Sequence, residues 1–328
     1  MKRITLALLL LITIAAAAAR GQQRFADLGD FVLESGEVLQ QCRIGYRLFG
    51  QPNADTSNAV LFPTWFGGRS EHLKNHLKPG GLVDSTRYFV IAVDALGNGV
   101  SSSPSNSRLQ PGEGFPRVTI RDMVRTQHAL LARALGIHHL RAVVGGSMGG
   151  MQTFEWIVSF PEFMDKAVPY VGSPRLTSFG LLLWTTELRA IELARRTPEG
   201  GAAAVSVVGP FQALLIRTPE WMVQKVSRDR FASFLARADS TYEALFNADD
   251  WACQIRAMLS HDVSAPFGGQ MEAAAERVKA DLFVIVGARD HMVNPVPALQ
   301  FAEMVGAKTL ILKNNCGHLC VGCEMVRV

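Results

Sequence analysis

Residues 143–150 read VVGGSMGG, and their reading decides the fold. Four glycines surround one serine directly after an apolar run. Glycine loses more backbone freedom on folding than any other residue, so this cluster needs a reason. A tight turn that merely wants small residues is one. The other is a nucleophile elbow, a sharp strand-to-helix turn that holds a serine at the edge of a sheet. LRAVVGG (140–146) has the composition of a buried strand, and MGGMQTFEWIVSF (148–160) that of a helix stopped by Pro161. The spacing Gly145-Gly146-Ser147-Met148-Gly149 is G-x-S-x-G in the strand–turn–helix context that the motif requires. Ser147 is therefore the candidate nucleophile. At a helix start it also faces backbone N–H groups that favour an anion.

Outward from this turn, strands and helices alternate. AVLFP (59–63) and RYFVIAVD (87–94) are continuous apolar runs, as expected of strands buried on both faces of a parallel sheet. VTIRDMVRTQHALLARALGI (118–137) has helical periodicity, with Thr119 and Asp122 spaced as a capping box and Gly136 at its end. DKAVPYVGS (165–173) is a further strand. Upstream, GEVLQQCRIGYRLFG (36–50) reads as the two strands of a hairpin. Residues 176–277 lack strand runs and contain helix-like stretches with Trp184, Trp221 and Trp251, so a helical lid is expected there. KADLFVIVGARD (279–290) and KTLILKN (308–314) resume the sheet, with a helix between them. The expected fold is α/β: a mostly parallel central sheet flanked by helices, with the lid inserted before the last two strands.

A serine hydroxyl needs a base, and the base an orienting acid. In this architecture the chain order is Ser, acid, His, the last two on loops after late strands. Asp290 ends one such strand, and His318 follows the last. Asp94, Asp262 and His291 are weaker alternatives: Asp94 suits a loop-forming role, no strand precedes Asp262, and His291 is adjacent to Asp290 and would point away. His72 and His76 are expected at the pocket rim. The Met148 N–H is the first expected oxyanion donor, and the Trp65 N–H in PTWFGG the second, with Phe66 next. The residues themselves identify no substrate-binding side chain.

The whole chain sets bounds on this reading. It has 328 residues, 48% hydrophobic and 19% charged, with a net charge of +4 and no basic run dense enough for nucleic acid. Lys2 and Arg3, the apolar stretch from Ile4, and Ala15 to Ala19 match a cleaved signal peptide over 1–21. That run falls short of the ~20 residues of a spanning helix. The mature domain is then 22–328, secreted or periplasmic, and free of the membrane after cleavage. Of five cysteines, three lie in CGHLCVGC (316–323) around His318. Their spacing matches no zinc finger, so small buried cysteines or a disulfide is expected and no metal. No cofactor is expected. The partners expected are a small acyl ester or acyl donor and, as protein partner, a second copy of the chain.

FPRVTIRDMVRTQHALLARALGI, AVVGGSMGGMQTFEWIVSFPE and AVPYVGSPRLTS together resemble the homoserine O-acetyltransferase family of the α/β-hydrolase superfamily. DALGNGVSSSPSNS is similar to the family's loop after the fourth strand. The resemblance spans roughly residues 88–178 and, more weakly, 279–320. It implies the α/β-hydrolase fold, an acyl-enzyme on Ser147 completed by Asp290 and His318, and transfer from an acyl-coenzyme A to an alcohol. The family's RFDANSY-like stretch, which supplies an arginine for the acceptor carboxylate, is replaced by RADSTYEALFNADDW, where Arg237 is the nearest candidate. The family's GHD is GHL here. With the leader, these differences make a secreted serine esterase the first expectation, an acyltransferase the second and a catalytically silent binding protein the third.

Overall fold

The computed structural model describes residues 21–327; the leader expected over 1–21 lies, Gly21 apart, outside the described residues. One eight-stranded sheet has the order β1-β2-β4-β3-β5-β6-β7-β8. Its strands are β1 (Arg24–Val32), β2 (Val38–Phe49), β3 (Ala59–Pro63), β4 (Phe89–Val93), β5 (Leu140–Gly146), β6 (Met164–Tyr170), β7 (Asp281–Gly287) and β8 (Lys308–Leu312). From β4 to β8 all neighbours are parallel; β1 and β2 add an antiparallel edge. One expectation changes. Residues 36–50 contribute a single strand, β2, whose hairpin partner is the upstream β1, and the turn between them passes through Gly36 at φ +87°. β1 has few buried positions, so its apolar signal is weak.

The parallel strands are buried along their length, as their apolar runs require. β3 and β4 have no exposed residue. Successive side chains feed two cores on opposite faces: Leu61, Ile91 and Val143 on one, Val60, Val90 and Val144 on the other. Against the first core pack α1 (Ile120–Ala129) and α2 (Met148–Ser159). The capping box forms as read: Thr119 accepts from the Asp122 N–H, and the Asp122 carboxylate accepts from the Thr119 N–H. Such a cap is worth ~1 kcal/mol. The α-helix stops at Ala129, and one π-helical turn carries the chain to Ala134 before Gly136.

Between β6 and β7 the helical insertion contains α3 (Ser178–Ala194), α4 (Val205–Ile216), α5 (Pro219–Lys225), α6 (Phe231–Glu243), α7 (Ala248–Leu259) and the short α8 (Met271–Ala275). Then come α9 (Val296–Met304) between the last two strands and α10 (Cys320–Cys323) after them. The insertion stands over the C-terminal ends of β3, β5 and β7, the edge at which open α/β sheets place their ligands. Among the described residues no single helix is long and apolar enough to cross a membrane.

Candidate active site

Ser147 sits between β5 and α2 with φ +56° and ψ −122°, a conformation that L residues avoid. It costs ~1–3 kcal/mol and persists only where the surroundings impose it. Here the Ser147 N–H donates to the Tyr170 carbonyl at 3.0 Å, and the Ser147 carbonyl accepts from the Met151 N–H at 2.9 Å. The flanking glycines answer the question raised by VVGGSMGG. A Cβ on Gly146 would lie 2.1 Å from the Tyr170 ring, and one on Gly149 would lie 2.7 Å from the Pro63 carbonyl oxygen. Strand and helix could not close on each other around the serine with larger residues.

The three residues picked from separate strand tips meet. His318 Nε2 is 2.9 Å from Ser147 Oγ, and His318 Nδ1 is 2.7 Å from Asp290 Oδ2. Asp290 accepts at Nδ1, so Nδ1 carries the proton and Nε2 is left to accept from the serine hydroxyl. The second Asp290 oxygen accepts from the Met292 and Val293 amides at 3.0 Å each, which fixes the carboxylate. Asp290 and His318 are both buried.

The His318 loop is held from two sides. Cys316 and Cys323 form a disulfide that brackets the histidine. Cys320, between them, stays free and buried, and burial pushes its thiol up to about 12. Gly317, at φ +60°, packs on the joint between α4 and α5; a Cβ there would lie 3.1 Å from the Ile216 carbonyl oxygen. The Thr218 hydroxyl donates to the Asn315 carbonyl at 2.7 Å.

Met148 opens α2, so its N–H is one of the first-turn donors that a helix leaves without an intrahelical acceptor. Trp65 lies in the loop after β3, and its N–H makes no hydrogen bond among the described residues. A side chain that the sequence reading did not single out ties these two segments together. Gln152 Nε2 donates to the Thr64 carbonyl at 3.0 Å and to the Met148 carbonyl at 3.1 Å. Gln127 donates in turn to Gln152, and Trp156 Nε1 donates to Gln127 at 2.8 Å. This buried chain of amides has no sequence signature, because its members are 25 and 29 residues apart.

Above the serine lies a cavity of about 530 Å³, mostly apolar in its lining. Ser147, His318 and Trp65 line it, with Phe66, Trp184, Trp251, Met292 and Leu245. His72 and His76 are on its wall as expected, both packed on the Trp65 ring. The weaker alternatives are engaged elsewhere. Asp94 is buried and accepts from Ser70 and Asn98, shaping its loop. Asp262 accepts from Ser264, and the His291 ring meets the Leu214 carbonyl. Arg237 is exposed on α6 and does not line the cavity. The cavity's arginine is Arg217, just past α4. Its guanidinium lies 4.5 Å above the Trp221 ring, and Nη1 is 3.8 Å from Cys323 Sγ; it has no carboxylate partner among the described residues. Burial pulls its pKa down.

This fold and site define a class. The chain belongs to the α/β hydrolase fold family, whose model matches residues 60–321. It is similar to an ethyl acetate hydrolase of Pseudomonas veronii, 29% identical over 313 residues covering 91% of this chain and 90% of the relative. It is also similar to a homoserine O-acetyltransferase of Caulobacter vibrioides, 30% identical over 319 residues covering 85% of this chain and 83% of the relative. Of the solved structures, that of the acetyl esterase MekB superposes with a TM-score of 0.87 at 29% identity, over 94% of each chain.

Proposed function

We propose that this protein is a serine hydrolase that cleaves small acyl esters, acetyl esters foremost, through an acyl-enzyme on Ser147. The observation that carries this reading is the continuous Ser147–His318–Asp290 hydrogen-bond relay opening into an apolar cavity. Ser147 Oγ attacks the ester carbonyl while His318 Nε2 takes its proton. Asp290 keeps the imidazole in the competent tautomer and stabilises the imidazolium that forms. The Met148 and Trp65 amides receive the developing oxyanion. His318 then returns the proton to the departing alcohol, and water repeats the sequence to free the acid. The ethyl acetate hydrolase and acetyl esterase relatives support a short acyl group.

A secreted or periplasmic location is part of the proposal. The leader pattern over 1–21 supports it, as does the Cys316–Cys323 disulfide, since such bonds persist in oxidising compartments. We also propose a homodimer. Exposed Phe179, Leu182, Leu193, Leu214 and Val223 on the insertion support an apolar contact, and sedimentation equilibrium tests it.

One observation favours a second reading, acyl transfer to an alcohol that carries a carboxylate: Arg217 brings an uncompensated cation to the cavity. Labelling tests the nucleophile that both readings share, and product analysis separates the two. A serine-reactive phosphonate is expected to label Ser147, and a short-chain aryl acetate to be hydrolysed. Added homoserine is expected to leave free acetate as the product. Labelling at another serine overturns Ser147 as the nucleophile. O-acetylhomoserine accumulating from acetyl-coenzyme A replaces the hydrolase reading with the transferase.

A further inference from the structure

The cavity roof holds polar atoms that the relay does not use. Trp184 on α3 and Trp251 on α7 both line the cavity, both are buried, and neither indole N–H has a hydrogen-bond partner among the described residues. The two indoles clasp Phe66 edge-on, with ring centroids 5.3 and 4.7 Å away. Trp251 Nε1 borders Gly67, another cavity residue; a Cβ on that glycine would lie 3.5 Å from it. One turn along α3 from Trp184, Glu187 is 1% exposed, and its Oε1 has no partner either. Its other oxygen accepts from Gln212 Nε2 at 2.7 Å. Gln212, on α4, lines the cavity, and this bond commits its amide nitrogen to Glu187 and leaves its carbonyl oxygen as an acceptor.

Folded proteins leave few buried polar groups unpaired, and each exception calls for a cause. Three fall here within one roof, on helices that meet only through the insertion's packing. Among the described residues no lysine or arginine pairs with Glu187, and burial raises its carboxyl to about 8, so these roof groups are close to neutral at pH 7. A carboxylate would find no cation among these groups, since Arg217 lies at the joint of α4 and α5 beside the His318 loop, and a cation would confront two N–H donors. A hydroxyl satisfies both sides at once: its oxygen accepts from an indole N–H, and its proton goes to the Gln212 carbonyl.

We infer that Trp184, Trp251 and Gln212, the last held by Glu187, form a recognition subsite for a neutral hydroxyl on the alcohol portion of the ester. The inference rests on the hydrolase reading for the identity of the substrate. These residues are specificity determinants; none touches the reacting carbonyl. Sites that hydrogen-bond a substrate hydroxyl reject the analogue lacking it, because the site's own groups are then left unpaired.

The test compares matched acetyl esters: 2-hydroxyethyl, 3-hydroxypropyl and 4-hydroxybutyl acetate against ethyl, propyl and butyl acetate. At one chain length the hydroxyl ester is expected to exceed its alkyl partner by ~10-fold or more in kcat/KM, mainly through KM. That ratio is expected to fall to about one in Trp251→Phe and in Gln212→Leu. Because each ratio is taken within one variant, a general loss of activity does not mimic the result. A second arm needs no turnover. The free diols and the matching alkanols are titrated into the Ser147→Ala protein, with tryptophan fluorescence as readout, and the diol is expected to bind tighter by a similar factor. The inference is overturned by a wild-type ratio near one at every length, by a ratio that survives both substitutions, or by tighter binding of the alkanol or of choline than of the diol. If no ester is turned over at all, the hydrolase reading falls and the fluorescence arm alone decides the subsite.

Discussion

On the floor of the cavity, the Ser147 hydroxyl, both nitrogens of His318 and both oxygens of Asp290 are engaged in hydrogen bonds. In the roof, the indole N–H groups of Trp184 and Trp251 and one oxygen of Glu187 are not. The floor is carried by the ends of parallel strands and by the first turn of α2, elements whose positions the sheet ladder sets. The roof is carried by four helices of the insertion, which meet one another through side-chain packing. The difference separates two tasks. Under the function proposed above, a preorganised floor performs one chemistry on the acyl group presented to it. Under the inferred subsite, a roof with unmet hydrogen-bonding capacity selects what is presented.

The comparison breaks most visibly at the floor. His318→Ala is expected to lower turnover of an aryl acetate by ~10⁴-fold or more, with the circular dichroism spectrum unchanged. Activity that survives this change but is lost in His72→Ala or His291→Ala would assign the base elsewhere.

Gln152 tests whether the floor's precision comes from behind it. Gln152→Leu removes the amide that links the Thr64 and Met148 carbonyls. Loss of one oxyanion donor costs ~10²–10³ in kcat, so loss of its alignment is expected to cost ~10–10². The reduction belongs in kcat with KM nearly constant; a change confined to KM would make Gln152 a residue of the binding wall.

The disulfide joins the two regions, because the loop it closes bears His318 and packs on residues 216–218 of the insertion. Closing so short a loop contributes ~2–3 kcal/mol. Reduction, or Cys316→Ser, is expected to lower Tm by several degrees and kcat by ~3–10-fold, as His318 loses its fixed geometry. Unchanged kinetics after complete reduction, verified by thiol counting, would show that docking on the insertion suffices to hold the loop.

The smallest effect sharpens the roof. Burial raises the Glu187 carboxyl from 4.5 to about 8. Between those values the folded protein holds a proton that the unfolded chain has released, so stability falls as pH rises through this window. Glu187→Gln keeps an acceptor for Gln212 but cannot ionise. Its Tm is expected to exceed that of the parent by a few degrees at pH 9 and by little at pH 5, followed by differential scanning calorimetry. A gain independent of pH would mean that Glu187 releases its proton in the folded protein as it does in the unfolded chain, and that burial does not raise it.

Ser147, Asp290 and His318 were legible because each is announced by its immediate neighbours. G-x-S-x-G between an apolar run and a helix allows one sharp turn, and the two later residues follow apolar runs whose ends must lie at one edge of a parallel sheet. The capping box at Thr119 is local in the same way. The hairpin was misassigned because β1 alternates weakly and carries little apolar signal. Arg237 was the nearest candidate for the cavity's cation on linear proximity alone, whereas Arg217 occupies that place because α4 ends against the His318 loop. The pairing of Cys316 with Cys323, leaving Cys320 buried, depended on which sulfurs the turn at Gly317 brings together.

The sequence by itself therefore determined the sheet, the elbow and the chain order of Ser147, Asp290 and His318, since period, turn chemistry and chain order act over a few residues at a time. Only the tertiary structure decided the Gln127–Gln152 relay, the cation of the cavity and the unpaired indoles above the serine. Those depend on which helices pack together across 25 residues or more, and no local pattern encodes that choice.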